Sequence, residues 1–269
     1  MNKGLAPRTA LFLPASNPRA IAKARTLHAD MVILDLEDAV REDAKAEARG
    51  AAVEAMAHGF GDRIAAIRIN AHDTPHHTAD IAAVAHCAAD MVVLPKVEDA
   101  ASAAAVAAAV GKPLLAMIET PAGVLAAPSI AAATGVAGLI AGANDLRATL
   151  RIPPAAGREG LALALQAIVL AARAADGWAL DSVFNALDDE SGLTDECRAG
   201  RSFGFDGKTL IHPNQIAPAN AAFGPSEAEV ADARALIAAA TGGAERFAGR
   251  MVEAMHVAQA HALLERVTP

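Results

Sequence analysis

Short apolar runs alternate along the chain with longer, alanine-rich stretches of helical character. Eight runs rich in valine, isoleucine and leucine predict strands at Leu11–Leu13, Met31–Leu36, Ile64–Ile69, Met91–Leu94, Leu114–Ile118, Gly138–Ala141, Leu180–Phe184 and Thr209–Ile211. Continuous apolar runs are typical of parallel strands that are buried on both faces. Because most of them leave room for a helix before the next, they favour an α/β fold, a single (β/α)₈ TIM barrel, over an open doubly wound sheet.

Alanine-rich segments and their breaks indicate where the outer helices and the end of the barrel lie. The stretch Asp99–Val110 is almost all alanine and opens with an acidic residue, which predicts an outer helix. Pro225–Ala240 is the predicted last barrel helix, ended by Thr-Gly-Gly, and a further helix is predicted over Arg250–Arg266. We therefore expect a barrel over residues 1–240 and a C-terminal helical extension or lid over residues 241–269, packed on the barrel or on a neighbouring subunit.

Composition narrows the class of protein. A chain of 269 residues, 54% hydrophobic and 20% charged, is the usual size for one such barrel and can bury a large core. The net charge of −8 argues against a nucleic-acid surface. The first apolar run is too short for a signal peptide, and no run approaches the roughly 18 apolar residues of a membrane span, so we expect a cytoplasmic protein. Cys87 and Cys197 have no metal-ligand spacing and are expected to stay reduced.

Polar residues collect directly after the predicted strands. Active sites of (β/α)₈ enzymes are built at the carboxyl ends of the strands, so these residues are the candidates for chemistry. They are Asp35, Glu37, Asp38, Arg68, Asn70, Lys96, Glu98, Glu119, Asn144, Asp145 and His212, with Asp206 and Lys208 just before the last strand. The pattern predicts that charges from several strands converge on one mouth.

Two of these acids, Glu119 and Asp145, follow neighbouring predicted strands. Such a pair suits Mg²⁺, which prefers oxygen ligands, retains several waters and takes one or two protein carboxylates. The alternative is that each acid caps the following helix or pairs with a lysine. Gly123 and Gly142 flank the two acids and would allow a ligand to approach closely, although glycine is also common in such loops for turn reasons.

Arg68 ends the third predicted strand and is expected to point into the mouth. The rigid fork of its guanidinium suits a substrate carboxylate. The alternative is an internal salt bridge to Glu37 or Asp38.

Other features of the sequence argue against several other classes of enzyme. His72, His76 and His77 raise the question of zinc, but they lie in a proline-containing loop without regular ligand spacing, which favours a solvated loop. The sequence contains no GxSxG, Walker or GxGxxG motif, so hydrolase, kinase and dehydrogenase interpretations are all weaker.

Several blocks of sequence carry a family resemblance. In chain order they are LFLPASNPRAIAKA, DMVILDLEDAV, IRIN, VVLPKVE, MIETPAGV, GANDL and GFDGKTLIHPNQI. Together they span nearly the whole chain, which resembles the citrate lyase β-subunit-like (CitE-like) branch of the HpcH/HpaI aldolase superfamily. The resemblance implies a (β/α)₈ barrel, usually trimeric, that binds Mg²⁺, or Mn²⁺ in its place. It also implies a carbon–carbon lyase that cleaves or forms a hydroxy-dicarboxylic acyl-CoA thioester such as malyl-, citramalyl- or citryl-CoA.

The resemblance also implies residue roles. Glu119 of MIETPAG and Asp145 of GANDL would bind the metal, and Arg68 of IRIN would hold the carboxylate of the oxo-acid fragment. Glu37 and Asp38 of DLEDAV would contact the water ligands of the metal. The basic residues near the first strand would meet the CoA phosphates, namely Arg8, Arg19 and Lys23.

One segment departs from the family pattern. Family members often carry an aspartate in a segment resembling GRMVD that caps the active site of a neighbouring subunit, whereas this chain reads GRMVEAMH with Glu253 at that position. Glu253 is therefore a catalytic candidate with an added methylene. This change puts hydrolysis or synthase activity in doubt more than cleavage, because misplacing a catalytic group by about 1 Å is costly.

Two other functions remain open. The first is a class II aldolase that acts on free 2-oxo acids, as other branches of the superfamily do. The second is a lyase subunit that acts on an acyl-carrier protein within a larger complex.

Overall fold

Eight parallel strands close into a barrel in sequence order in the computed structural model, which describes residues 5–153 and 155–267. They are β1 Thr9–Pro14, β2 Met31–Asp35, β3 Ile64–Arg68, β4 Met91–Leu94, β5 Leu114–Ile118, β6 Val136–Ala141, β7 Trp178–Asp181 and β8 Gly207–Leu210. The predicted (β/α)₈ barrel is confirmed. The seventh strand was predicted two residues too late, at Leu180–Phe184, because the apolar run Val183–Phe184 that favoured the later end lies beyond the strand, which ends at Asp181.

Helices surround the barrel and follow its strands. They are α1 Pro18–Ala24, α2 Lys45–His58, α3 His77–Ala85, α4 Ala100–Val110, α5 Pro121–Ala131, α6 Ala143–Thr149, α7 Ala162–Ala174, α8 Glu190–Phe203, α9 Ile216–Phe223, α10 Glu227–Ala239 and α11 Ala254–Glu265. The alanine-rich segment forms the predicted outer helix, since the Asp99 side chain caps α4 by accepting from the Ser102 N–H at 2.8 Å. None of the helices within the described ranges is long and apolar enough to cross a membrane.

Successive strand residues alternate between two cores. Phe12, Ile33 and Met117 belong to the cluster inside the barrel, whereas their neighbours pack beneath the helices. A residue two positions beyond an inward-facing residue also faces inward. The alternation therefore directs Asp35 and Glu119 toward the mouth, at the carboxyl ends of their strands.

The C-terminal segment adds a hairpin and a helix beside the barrel. Strands β9 Glu245–Phe247 and β10 Arg250–Val252 pair antiparallel, and α11 packs on α10 around a small separate core. The last helix begins at Ala254 rather than at Arg250, because Arg250–Val252 extends to pair with β9.

Candidate active site

A cavity of about 360 Å³ opens at the carboxyl ends of the barrel strands. Its wall includes six of the polar residues singled out from the sequence, namely Asp35, Asp38, Arg68, Glu119, Asn144 and Asp145. The predicted convergence of charges on one mouth is present in the structure.

Arg68 is anchored by a residue to which sequence reasoning assigned no role. Asp35 lies opposite Arg68 in the register of β2 and β3. Arg68 Nε and Nη2 donate to the two carboxylate oxygens of Asp35 at 2.7 and 2.6 Å. Such bidentate pairing holds the guanidinium plane in one orientation. Aligning the two apolar runs end to end was the signal that could have identified Asp35 as the partner of Arg68.

The third nitrogen of Arg68 faces other acids. Nη1 lies 2.9 Å from Glu37 Oε2, an ion-pair distance without hydrogen-bond geometry, and 3.7 Å from Asp38 Oδ2. The salt bridges considered from the sequence therefore form, while Arg68 still lines the cavity. Removing the whole side chain would leave the buried Asp35 carboxylate without its partner.

Two lysines hold the loops that carry these acids. Lys96 Nζ donates to Glu37 Oε1 at 2.6 Å. The buried Lys45 donates to the carbonyls of Leu36 and Glu37 at 2.8 and 2.7 Å and to Asn70 Oδ1 at 2.7 Å. The loop after β2 is therefore tied to the loops after β3 and β4.

Glu119 is buried at the mouth and is held there by a backbone hydrogen bond. It is 2% exposed, its Oε1 accepts the Lys96 N–H at 2.8 Å, and it forms no ion pair with any residue of the described chain. Burial first, and then the charge of Glu37, raise the pKa of Glu119 to about 7, with a further contribution from Asp145. It does not cap α5, because Thr120 Oγ1 accepts the Gly123 N–H at 3.0 Å.

Asp145 lies in the first turn of α6, half-buried on the same wall as Glu119. It makes no side-chain cap to that helix, and no ion pair joins it to another residue in the part of the chain that the structure describes. Buried acids are normally paired or bind a metal. Two acids that follow neighbouring strands, neither with an ion-pair partner among the described residues, fit a divalent cation that takes oxygen ligands and keeps several waters.

The two glycines beside these acids serve packing. A Cβ on Gly142 would be 2.3 Å from Glu119 Cβ and 2.5 Å from Glu119 Oε2, so only glycine leaves room for that carboxylate. A Cβ on Gly123 would be 2.5 Å from the Val97 carbonyl oxygen. The flanking glycines therefore let protein groups approach one another; Gly142 also lines the cavity, and close approach of a ligand there stays a prediction.

The basic residues expected near CoA do not lie together. Arg8 precedes β1, at the amino end of the barrel, and donates from Nε and Nη2 to Asp30 at 2.8 and 2.9 Å. Arg19 and Lys23 are exposed on α1, which follows the carboxyl end of β1. Sequence proximity misleads here, because β1 carries the chain from one end of the barrel to the other. The structure does not bring Arg8 to the mouth.

Glu253 lies between β10 and α11 and is not part of the cavity wall in its own chain. Its backbone N–H donates to His256 Nδ1 at 2.9 Å. A role toward a neighbouring subunit stays a prediction.

The histidine loop forms local contacts. His76 Nε2 lies 2.7 Å from Glu42 Oε1, and His77 Nδ1 lies 2.8 Å from the Asn70 carbonyl oxygen. Over residues 5–153 and 155–267, no group of three or more His, Cys, Asp or Glu side chains could hold a metal. The predicted loop ends at His76, because His77 begins α3. A zinc site needs three or four protein ligands.

Comparisons with known proteins agree with this geometry. The family model described as HpcH/HpaI aldolase/citrate lyase matches residues 8–213. A (3S)-malyl-CoA thioesterase of Cereibacter sphaeroides is 42% identical over 268 residues, covering 96% of this chain and 94% of the relative. A citrate lyase subunit beta-like protein of Mycobacterium tuberculosis is 38% identical over 263 residues, covering 95% and 94%.

A solved structure is similar to this chain over nearly its whole length. The crystal structure of CitE from Mycobacterium tuberculosis in complex with magnesium, acetoacetate and coenzyme A matches with a TM-score of 0.85 and 36% identity, covering 98% of both chains. The family match, the identity to these relatives and the barrel with its charged mouth lead to one conclusion. This chain belongs to the HpcH/HpaI aldolase/citrate lyase family.

Proposed function

We propose that this protein is a Mg²⁺-dependent carbon–carbon lyase that cleaves or forms a hydroxy-dicarboxylic acyl-CoA thioester such as malyl-, citramalyl- or citryl-CoA. The observation that carries the proposal is the pair Glu119 and Asp145, two acids that form no ion pair with the described residues, on the wall of a cavity that Arg68 also lines. The relatives support it, since one is named for malyl-CoA and another was solved with magnesium, acetoacetate and coenzyme A.

Glu119 and Asp145 would hold Mg²⁺, or Mn²⁺ in its place, and the remaining positions would be open to oxygens of the substrate. When bound, the ion supplies positive charge that orients and polarises the hydroxyl and carboxylate of the hydroxy-acid fragment. Gly142 keeps the Glu119 carboxylate in the cavity wall by leaving it space. Glu37 and Asp38 lie beside Arg68 and would contact the water ligands of the metal.

Arg68 would receive the carboxylate of the oxo-acid fragment. Asp35 occupies Nε and Nη2, so the substrate carboxylate would approach Nη1, which also lies 2.9 Å from Glu37 Oε2. In the cleavage direction the hydroxyl loses its proton and becomes a carbonyl, and the carbon–carbon bond breaks. Its electron pair moves to the carbon beside the thioester, which then takes up a proton. A guanidinium held in place before the reaction stabilises negative charge without reorganising.

The positions of residues outside the cavity support further proposals for CoA binding and for the oligomeric assembly. Arg19 and Lys23 are exposed on α1 beside the mouth and would meet the phosphates of CoA. We further propose a cytoplasmic homotrimer, with a barrel over residues 1–240 and a lid over residues 241–269. The exposure of Met251 and Met255, at 67% and 58%, supports a lid that packs on a neighbouring subunit and brings Glu253 toward its active site.

Hydrolysis of a malyl-CoA thioester is the second candidate, favoured by the name of the relative that is 42% identical over 96% of this chain. The two activities give different products from the same substrate. Hydrolysis releases free CoA and an intact hydroxy acid, whereas cleavage releases a shorter acyl-CoA and an oxo acid.

The experiment is a panel of hydroxyacyl-CoA esters incubated with Mg²⁺ or with EDTA, with products separated by chromatography. We expect acetyl-CoA or propionyl-CoA together with glyoxylate, pyruvate or oxaloacetate, and only with Mg²⁺. Turnover that EDTA does not affect contradicts the proposal. Turnover of free 2-oxo acids alone indicates the class II aldolase, and activity only with an acylated carrier protein indicates the lyase subunit.

A further inference from the structure

Lys96 has a backbone conformation that is rare for a side chain of its kind. It directly follows Pro95 after β4 and has a φ of 52°, in the left-handed region. Lysine in that region costs roughly 1 kcal/mol, and such residues persist where the surroundings hold them. The conformation turns the chain sharply at the mouth of the barrel.

That turn directs a backbone donor at the candidate metal site. The Lys96 N–H donates to Glu119 Oε1 at 2.8 Å. A Cβ on Gly142 would lie 2.5 Å from Glu119 Oε2, so glycine at that position leaves the carboxylate its space. The orientation of the Glu119 carboxylate is therefore set by the backbone of Lys96 together with the missing side chain of Gly142.

The side chain of Lys96 makes a second, independent contact. Its ammonium donates to Glu37 Oε1 at 2.6 Å, and the other oxygen of Glu37 lies 2.9 Å from Arg68 Nη1. Glu37 is therefore held between two cations. Without the ammonium, Glu37 would be free to draw Arg68 Nη1 away from the substrate.

We propose that Lys96 is a positioning residue with two separable functions, in which its left-handed backbone orients Glu119 for the metal and its ammonium holds Glu37 beside Arg68. The inference rests on the proposed function, because it takes Glu119 as a metal ligand. Groups that orient metal ligands typically change metal affinity by about 10- to 100-fold when they are lost.

The test compares Lys96→Gly with Lys96→Val. Both variants lack the ammonium, but glycine adopts a positive φ freely and the β-branched valine does not. Binding of Mg²⁺ to the full chain is measured by calorimetry, so this readout does not depend on activity. We expect Lys96→Gly to bind Mg²⁺ within about 3-fold of wild type and Lys96→Val to bind about 10-fold or more weakly. Equal affinities for the two variants would overturn the backbone function.

The side-chain function is tested in the same variants by steady-state kinetics at saturating Mg²⁺. We expect Lys96→Gly to lose about 10-fold or more in kcat/KM, and Lys96→Arg to recover most of it. Wild-type turnover by Lys96→Gly would overturn this function. Should Lys96→Val fail to fold, as a thermal melt would detect, Lys96→Thr replaces it, because its branched Cβ also opposes a positive φ more strongly than that of lysine.

Failure of the proposed function has a different signature. If Glu119→Gln binds Mg²⁺ as tightly as wild type, Glu119 is not a metal ligand and the proposed metal site is wrong. If Glu119→Gln loses Mg²⁺ while Lys96→Val keeps it, the metal site stands and only the role of Lys96 is wrong.

Discussion

Two clusters of buried charge in this barrel differ in their balance. The mouth cluster contains more acids than bases, with Arg68 and Lys96 facing Asp35, Glu37, Asp38, Glu119 and Asp145. The outer network lies between β7, β8 and α8 and is balanced. In it Lys208 lies 3.3 Å from Asp181 and 2.6 Å from Glu196, and Arg158 lies 2.5 Å from Asp181.

The two clusters shift the pKa values of their acids in opposite directions. Burial alone would raise the pKa of Asp181, but the charges of Lys208 and Arg158 outweigh it and lower that pKa. Burial raises the pKa of Glu119 to about 7, because Glu37 and Asp145 add repulsion and its partners do not compensate. A balanced network serves the fold, whereas surplus negative charge in a cavity marks a site for a cation.

Removing an acid from the mouth cluster should have the largest effect. We expect Glu119→Gln to lower turnover by about 10³-fold or more, because a metal site contributes several kcal/mol to the transition state. The free energy of unfolding in the absence of Mg²⁺ should not fall, since the variant removes a repelled charge. Steady-state kinetics and urea unfolding measure the two quantities. A folded variant with wild-type turnover would contradict the distinction between the clusters.

A substitution in the outer network should lower stability and leave Mg²⁺ binding unchanged. We expect Lys208→Met to lower the free energy of unfolding by about 3–5 kcal/mol, because it leaves Asp181 and Glu196 with too little positive charge. Mg²⁺ affinity of the folded protein should stay at the wild-type value. The double variant Asp181→Asn with Lys208→Met serves as the control and should regain part of the lost stability. If Lys208→Met loses Mg²⁺ affinity instead of stability, the network also serves the site.

The pH dependence of stability sharpens the comparison. The native pKa of Glu119 is raised from 4.5 to about 7, so between those values the unfolded chain releases a proton that the native protein keeps. The contribution of Glu119 to stability is therefore present below pH 4.5 and is lost as the pH rises through 7, on the order of 3 kcal/mol at 1.36 kcal/mol per pKa unit.

The measurement is urea unfolding in EDTA across this pH range for wild type and Glu119→Gln. Wild type should lose stability relative to the variant as the pH rises. A constant difference between the two proteins would show that the Glu119 carboxyl is not held in its neutral form by its surroundings.

A smaller change at the mouth tests how tightly Glu119 is held. We expect Gly142→Ala to lower turnover by about 100-fold, because the new Cβ would displace the Glu119 carboxylate and a shift of about 1 Å can cost that much. Gly50→Ala is the matched control, since its Cβ would meet nothing within 4 Å. Wild-type kinetics for Gly142→Ala would mean that the Glu119 side chain moves without consequence.

The amino-acid sequence by itself determined the fold class and predicted the acids of the proposed metal site. Continuous apolar runs separated by helical segments predicted the barrel, since parallel strands bury both faces and leave little choice of side-chain type. Glu119, Asp145 and Arg68 were found because the carboxyl ends of barrel strands meet at one mouth. Both patterns involve residues that are close together in the sequence, so they are visible without the structure.

Only the tertiary structure decided which charges are paired. Asp35 became the anchor of Arg68 through strand register, and Asp181 and Lys208 formed a separate network because they face outward from neighbouring strands. Arg8 lies at the far end of the barrel although it is only 11 residues from Arg19. The physical reason is that pairing depends on distance through space. Strand register and the alternation of side chains set that distance, and spacing along the chain does not.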